Sequence, residues 1–315
     1  MPYSLDSRYT SGLTDTPRPT LVFEPQRLVH HLGTRVVLAS ETFQHTGSFK
    51  FRAAMHVARH VPHRRILAAS SGNFGQALAA ACTLLDKSSL IVMPASAAKV
   101  KVEAIRSYGG EIDFVDTRVT TRATRVMELR HAHPEAYVAS AYDDPLVIAG
   151  NSSLGVELAD RLPEECDTVI VPIGGGGLAS GVIEGLRRAG RRIDVVAAEP
   201  AMANDAARSL RAGEIVANPT EPQTLADGAR TLSIGQHNWP ILQSGLREII
   251  EVPEPEIAEA VRLLFSTAHL KAEPTGALAV AALLTAPDRF RDRTVCCVIS
   301  GGNVDTGLYL RLLDF

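Results

Sequence analysis

One pattern recurs along this 315-residue chain and narrows what it can fold into: a short apolar run, a Gly/Ser turn, then an Ala/Leu-rich helical stretch. "RRILAAS-SGNFG-QALAAACTLL" shows it at 64–85, and "DTVIVPI-GGGG-LASGVIEGLRRAG" shows it at 167–190. "RRIDVVAAEP" (191–200) and "RTVCCVIS-GGN" (293–303) close strands in the same way. Continuous β-rich apolar runs alternating with helices argue for parallel sheets covered on both faces. The expected class is therefore α/β, doubly wound, with ligands at the C-terminal strand ends where the Gly-rich turns fall. Residues 65–145 hold their own strand–helix series, read as a small domain; 1–64 and 146–315 form the larger one. A cleft between two such lobes is the natural site.

Composition excludes more than it selects. A formal net charge of -3 gives no reason to expect nucleic acid or an anionic membrane. No apolar run reaches the roughly 18 residues of a membrane span, and "MPYSLDSRYTSG" lacks the features of a secretory signal. Cys82, Cys166, Cys296 and Cys297 lack metal-type spacing, and Cys296 and Cys297 must face opposite sides of a strand. They read as reduced core residues of a cytoplasmic protein.

Chemistry concentrates in the turns. In "PIGGGGLASG", Gly174, Gly175, Gly176 and Gly177 follow a buried strand and open a helix. Bare backbone N–H groups at a helix N-terminus suit a phosphate; the plainer alternative is a tight strand-to-helix turn. The same run satisfies a relaxed dinucleotide fingerprint, Gly174-x-Gly176-x-x-Ala179, with Glu199 about 20 residues on. "SSGNFGQA" (70–77) offers small residues and amide donors suited to a carboxylate, although such clusters also serve as helix caps. "SGGN" (300–303) is another polar turn, and "QHTGSFKFRAA" (44–54) sets Lys50 behind a Thr-Gly-Ser turn with Arg52 close by. A dinucleotide site leaves Lys50 and two of these loops unexplained. A phosphate cradle, a carboxylate cradle, a strand-end hydroxyl and a placed lysine together suit pyridoxal phosphate and an amino acid.

These segments resemble the fold-type II pyridoxal phosphate enzymes (tryptophan synthase β-like), specifically the serine/threonine dehydratase and serine racemase family. The matching stretches are "TGSFKFRAA", "SSGNFGQA", "DDPLVIAGNSSLGVEL", "VPIGGGGL", "AAEPAMAND", "TLADGARTLSIG", "AEPTGA" and "SGGNVD", in family order from about 40 to 306. The resemblance implies that Lys50 forms the covalent imine with the cofactor, that Gly174–Gly177 bind its phosphate, and that Asn73 and Ser300 meet its ring. It implies that Ser70, Asn73 and the backbone at Phe74 hold the substrate carboxylate. Ser71 matches the second acid/base of the racemases, facing Lys50 across the substrate. Glu199, Ala203 through its carbonyl, and Asp205 match a divalent-cation site, whose oxygen ligands suit Mg²⁺ or Ca²⁺.

The chemistry expected from this is dehydration: Lys50 tethers the cofactor and, released, removes the Cα proton. Ser300 at the pyridine nitrogen implies a milder electron sink than a carboxylate would give, which favours loss of a β-hydroxyl. L-Serine, L-threonine or a relative such as 3-hydroxyaspartate then yields a 2-oxo acid and ammonia. The alternative within the family is a serine or aspartate racemase using Lys50 and Ser71. From other classes, a dinucleotide oxidoreductase built on the Gly174 turn and a non-catalytic amino-acid-binding protein stand as rivals. Departures from the family pattern are Ala53 for a common glycine, Phe74 for a frequent histidine, and "GNSS" (150–153) for Gly-Gln-Gly-Thr. Arg122 falls where an arginine near the distal end of the substrate is found, which would admit a β-carboxylate. With the sequence ending at Phe315, no feedback control of the biosynthetic threonine-deaminase type is expected, and a homodimer is expected through the resemblance alone.

Overall fold

The structure, a computed structural model, describes residues 12–70, 72–97 and 99–314. Two sheets carry the architecture. The first has six strands: β1 (Leu21–Phe23), β2 (Arg35–Ser40), β7 (Cys166–Pro172), β8 (Asp194–Pro200), β9 (Leu246–Val252) and β10 (Thr294–Ile299), in the spatial order β1-β2-β10-β7-β8-β9. Only β1 runs antiparallel to its neighbour. The second sheet is wholly parallel and contains β3 (Arg65–Ala69), β4 (Ser88–Pro94), β5 (Glu111–Val115) and β6 (Tyr137–Ala139), ordered β5-β4-β3-β6. Its strands are thus drawn from the 65–145 stretch.

The period-2 alternation of each central strand sorts its side chains between two helical layers. Val169 and Val171 of β7 join Leu178 and Val182 on one face, whereas Ile170 joins Leu278 and Val280 on the other. Cys296 and Cys297 divide the same way; all four cysteines are free and buried. The helix Pro274–Thr285 is buried from Pro274 to Leu283, as its continuous apolar sequence requires. Edge strand β5 is only partly covered, leaving Phe114 exposed.

Helix α1 (Gln26–Leu32) connects the first two strands, and α2 (Lys50–His60) leaves the turn after β2. The position of α2 is fixed by a buried arginine two residues into it. Arg52, 2% exposed, donates from Nε to Glu41 Oε2 at 2.8 Å and from Nη2 to Glu41 Oε1 at 3.0 Å. Its Nη1 reaches Ser153 Oγ (3.0 Å) and Glu157 Oε1 (2.8 Å), and Nη2 also reaches Thr20 Oγ1 (2.8 Å). The guanidinium fork has five N–H donors, and this arrangement occupies them all. Glu157 and Ser153 lie on the helix Pro145–Arg161, so one side chain ties α2 to the sheet end, the N-terminal segment and a second helix.

Removing one member of a buried ion cluster leaves the other charge uncompensated, at a cost of about 3–5 kcal/mol. Arg52→Ala should therefore lower the unfolding free energy of the cofactor-free protein by about that much in denaturant titration; a loss under about 1 kcal/mol, the range of exposed pairs, would contradict a supporting role.

Candidate active site

The turn before α2 is laced to the loop after β10. Phe49 N–H donates to Ser300 O at 3.0 Å, Gly302 N–H donates to Gly47 O at 2.9 Å, and Ser48 bridges Gly301. Gly47 sits at φ +73°, and a Cβ there would run into Asn303 Oδ1. Both its conformation and its neighbour demand glycine. These contacts seat Lys50 as the first residue of α2 beside Ser300, which is buried at the end of β10.

Lys50 Nζ donates to Ala141 O at 2.6 Å and lies 4.9 Å from the centre of the Phe49 ring and 5.8 Å from that of Phe74. Burial lowers its pKa to about 8, against the pull of the Glu273 charge. An appreciable neutral amine fraction near neutrality follows, which an ordinary solvated lysine lacks.

Asn73 opens α3 (Asn73–Leu84) and joins two groups absent from the expected site: Nδ2 donates to Glu273 Oε1 and Oδ1 accepts from Asn303 Nδ2, both at 2.8 Å. Glu273, 5% exposed, caps the buried helix Pro274–Thr285. Burial first, then the charge of Asp227, pushes its pKa to about 8, with Asn73, Lys101 and Lys50 working the other way. Ser70 Oγ accepts from Gly75 N–H at 3.0 Å, so its oxygen caps α3 while its hydrogen remains free to donate. Phe74 is buried and gives the lysine an apolar wall. Ser71 lies outside the described residues.

The glycine run falls where the sequence places it, between β7 and the helix Gly177–Arg188. Gly176 adopts φ +96°, and a Cβ on Gly175 would overlap the Tyr142 ring. Tyr142 follows Ala141, the acceptor of Lys50, so a single dipeptide brings lysine and glycine loop together. Asn151 Nδ2 reaches Gly177 O at 3.0 Å, Ser152 Oγ accepts from Arg188 and Ser153 Oγ from Arg52. The "GNSS" departure thus commits these side-chain atoms to the frame.

Glu199 ends β8 and turns both carboxylate oxygens onto the N–H groups of Ala206 and Ala207, at 2.8 and 2.9 Å. That geometry leaves the dinucleotide reading without its ribose-binding acid. Asp205 opens the helix Asp205–Ala212; its Oδ1 accepts from Asn218 Nδ2 at 2.8 Å, and its buried Oδ2 has no partner. Burial pushes Glu199 well above the usual carboxylate range and Asp205 to about 6. The unpaired, buried Oδ2 of Asp205 is the one feature here that fits a cation; both Glu199 oxygens already accept from backbone N–H groups. Among the described residues no group of three or more His, Cys, Asp or Glu stands ready for a metal. Arg122 faces Glu221 at 3.8 Å, and Lys101 pairs with Asp227 at 2.7 Å. Both pairs link helices of the 65–145 stretch to the 221–227 segment.

A parallel α/β frame, a half-buried lysine of lowered pKa and a glycine cradle that admits no Cβ define a fold-type II pyridoxal phosphate enzyme, and the cradle and amine fit that cofactor's phosphate and aldehyde. Residues 13–301 match the family model described as pyridoxal-phosphate dependent enzyme, and the chain belongs to that family. It is 35% identical over 298 residues to the L-threo-3-hydroxyaspartate ammonia-lyase of a Pseudomonas species, covering 93% of this chain and 92% of that one. The serine racemase of Homo sapiens is 35% identical over 309 residues, covering 93% and 88%. Among solved structures, a T.th. threonine deaminase superposes with a TM-score of 0.87 at 36% identity, covering 95% of this chain and 97% of that one.

The raised pKa of Glu273 has a measurable consequence. A Glu273 pKa raised from 4.5 to about 8 means the folded state holds an extra proton in that window, so stability falls as pH rises through it. Lys50, lowered from 10.5 to about 8, contributes a rise only above about pH 8. In cofactor-free protein, wild type should lose stability relative to Glu273→Gln between about pH 5 and pH 8 in denaturant titrations. Parallel profiles would show that Glu273 is ionised throughout.

Proposed function

We propose that the protein is a pyridoxal phosphate-dependent ammonia-lyase that removes the β-hydroxyl of L-serine, L-threonine or a related amino acid such as 3-hydroxyaspartate. The observation that carries this is the Lys50 amine: half-buried beside Phe49 and Phe74, its pKa lowered to about 8, on a helix start joined to Ser300. The bound cofactor supplies an electron sink for charge developing at the substrate Cα. Gly174–Gly177 hold its phosphate, while Asn73 and Ser300 orient its ring; Ser70, Asn73 and the backbone at Phe74 receive the substrate carboxylate. Lys50 takes the Cα proton. Ser300 is a neutral hydroxyl at the ring position and encourages departure of the β-hydroxyl as water. The enamine left behind hydrolyses to a 2-oxo acid and ammonia, so one substrate gives one of each.

The second reading, a serine or aspartate racemase, is supported by the likeness to serine racemases, with Lys50 and Ser71 as the acid/base pair. Both readings use the same two lobes, 65–145 against 1–64 and 146–315, with the site in the cleft between them. Glu199, Ala203 and Asp205 serve as a Mg²⁺ or Ca²⁺ site. We further infer a homodimer, from the resemblance, and a reducing, cytoplasmic setting, from the free buried cysteines. Among the described residues no helix is long and apolar enough to cross a membrane.

A panel of L- and D-serine, threonine and 3-hydroxyaspartate, scored for ammonia, 2-oxo acid and stereoinversion, tests this. Equal ammonia and 2-oxo acid from an L-substrate is expected, falling by about 10²-fold or more in Lys50→Ala and falling on chelation until Mg²⁺ is restored. Inversion without 2-oxo acid, abolished by Ser71→Ala, would instead establish the racemase; turnover of none would contradict both.

A further inference from the structure

We propose that Asn238 is a positioning residue that fixes the orientation of the phosphate-binding peptide, a role resting on the assignment of Gly174–Gly177 to the cofactor phosphate. Asn238 has no exposed surface. Its Nδ2 donates to two carbonyls at 3.0 Å each, those of Tyr142 and Gly175. Gly235 N–H also donates to Gly175 O at 3.0 Å, so both lone pairs of that oxygen are engaged. The segment holding Asn238 is itself clamped, because Asp143 accepts from the N–H groups of Gln236 (3.0 Å) and His237 (2.8 Å).

The consequence lies in the next N–H. In a trans peptide, C=O and the following N–H point in opposite directions. Anchoring Gly175 O toward Asn238 therefore turns Gly176 N–H to the other side of the loop. Gly176, at φ +96°, lies at a position where glycine flanks give the peptide plane freedom to rotate. A rotated plane would face an anion with a carbonyl oxygen instead of a donor. Asn238 prevents that rotation.

Asn238 is retained at a cost. Its Oδ1 is buried without a partner, and swapping the amide ends would set oxygen against two carbonyl oxygens. An unpaired atom of this kind calls for a reason, and the double donation from Nδ2 supplies it. The pattern is specific to a donor-bearing side chain at this depth; an apolar residue would fill the space and leave Gly175 O with the Gly235 N–H alone.

The test compares two ligands that differ only in the phosphate. Cofactor-free wild type, Asn238→Ala and Asn238→Thr are titrated with pyridoxal 5′-phosphate and with pyridoxal, following visible absorbance and protein fluorescence. Wild type should prefer the phosphorylated ligand. Asn238→Ala should weaken pyridoxal 5′-phosphate by about 5- to 10-fold, the scale of one buried hydrogen bond, while pyridoxal affinity stays within about 2-fold. Asn238→Thr, with one donor, should fall between. Equal weakening of both ligands in either variant, or no weakening of pyridoxal 5′-phosphate, would overturn the proposal while leaving the glycine cradle intact. A wild type indifferent to the phosphate would overturn the cradle assignment and the proposal with it.

Discussion

The arrangement depends on the buried cluster Glu41–Arg52–Glu157. Burying ions is expensive unless each donor and acceptor is matched, and here the guanidinium is matched by two carboxylates and two hydroxyls drawn from separate parts of the chain. What the cluster secures is direction. Lys50 and Arg52 are two residues apart at the start of one helix, so their side chains leave it on widely separated sides. With Arg52 sunk into the frame, Lys50 is directed away from it, toward Ala141 O. A helix start held only by apolar packing could roll, and the amine would roll with it.

A second constraint is burial around Lys50 and Glu273. Burial disfavours both the ammonium of Lys50 and the carboxylate of Glu273. Both groups therefore exchange protons near neutrality, and Asn73 links this pair to the loop after β10. Glu199 and Asp205 present the opposite case. There, two acids are brought together with an oxygen unsatisfied, and the energy of that crowding is what a cation would relieve.

Strand–turn–helix order was legible in the sequence because it is local: apolar runs, glycine turns and helical stretches each announce themselves within about 10 to 15 residues. The glycine run and the setting of Lys50 behind a Thr-Gly-Ser turn stood out for the same reason, whereas the acids at 199 and 205 were paired only through the family resemblance. What sequence reading missed is non-local. Glu41 and Glu157 reach Arg52 from opposite sides of it in the chain, and nothing in "TGSFKFRAA" names them. Tyr142 over Gly175, and Asn238 beneath it, meet across the fold. Glu273 was visible in "AEPTGA" as a lone acid opening an apolar helix, yet its raised pKa is a property of burial that no local motif records. The side chains of "GNSS" make frame contacts with Gly177, Arg188 and Arg52 that no local motif announces.

The most direct measurement of the central claim is where the cofactor is covalently joined. Borohydride reduction of the protein saturated with pyridoxal 5′-phosphate, followed by proteolysis and mass mapping, should fix the pyridoxyl group on Lys50 alone, within residues 44–54, and bleach the visible band. Label on Lys101 or another lysine, or a protein that binds the cofactor and releases it unreduced, would contradict the account.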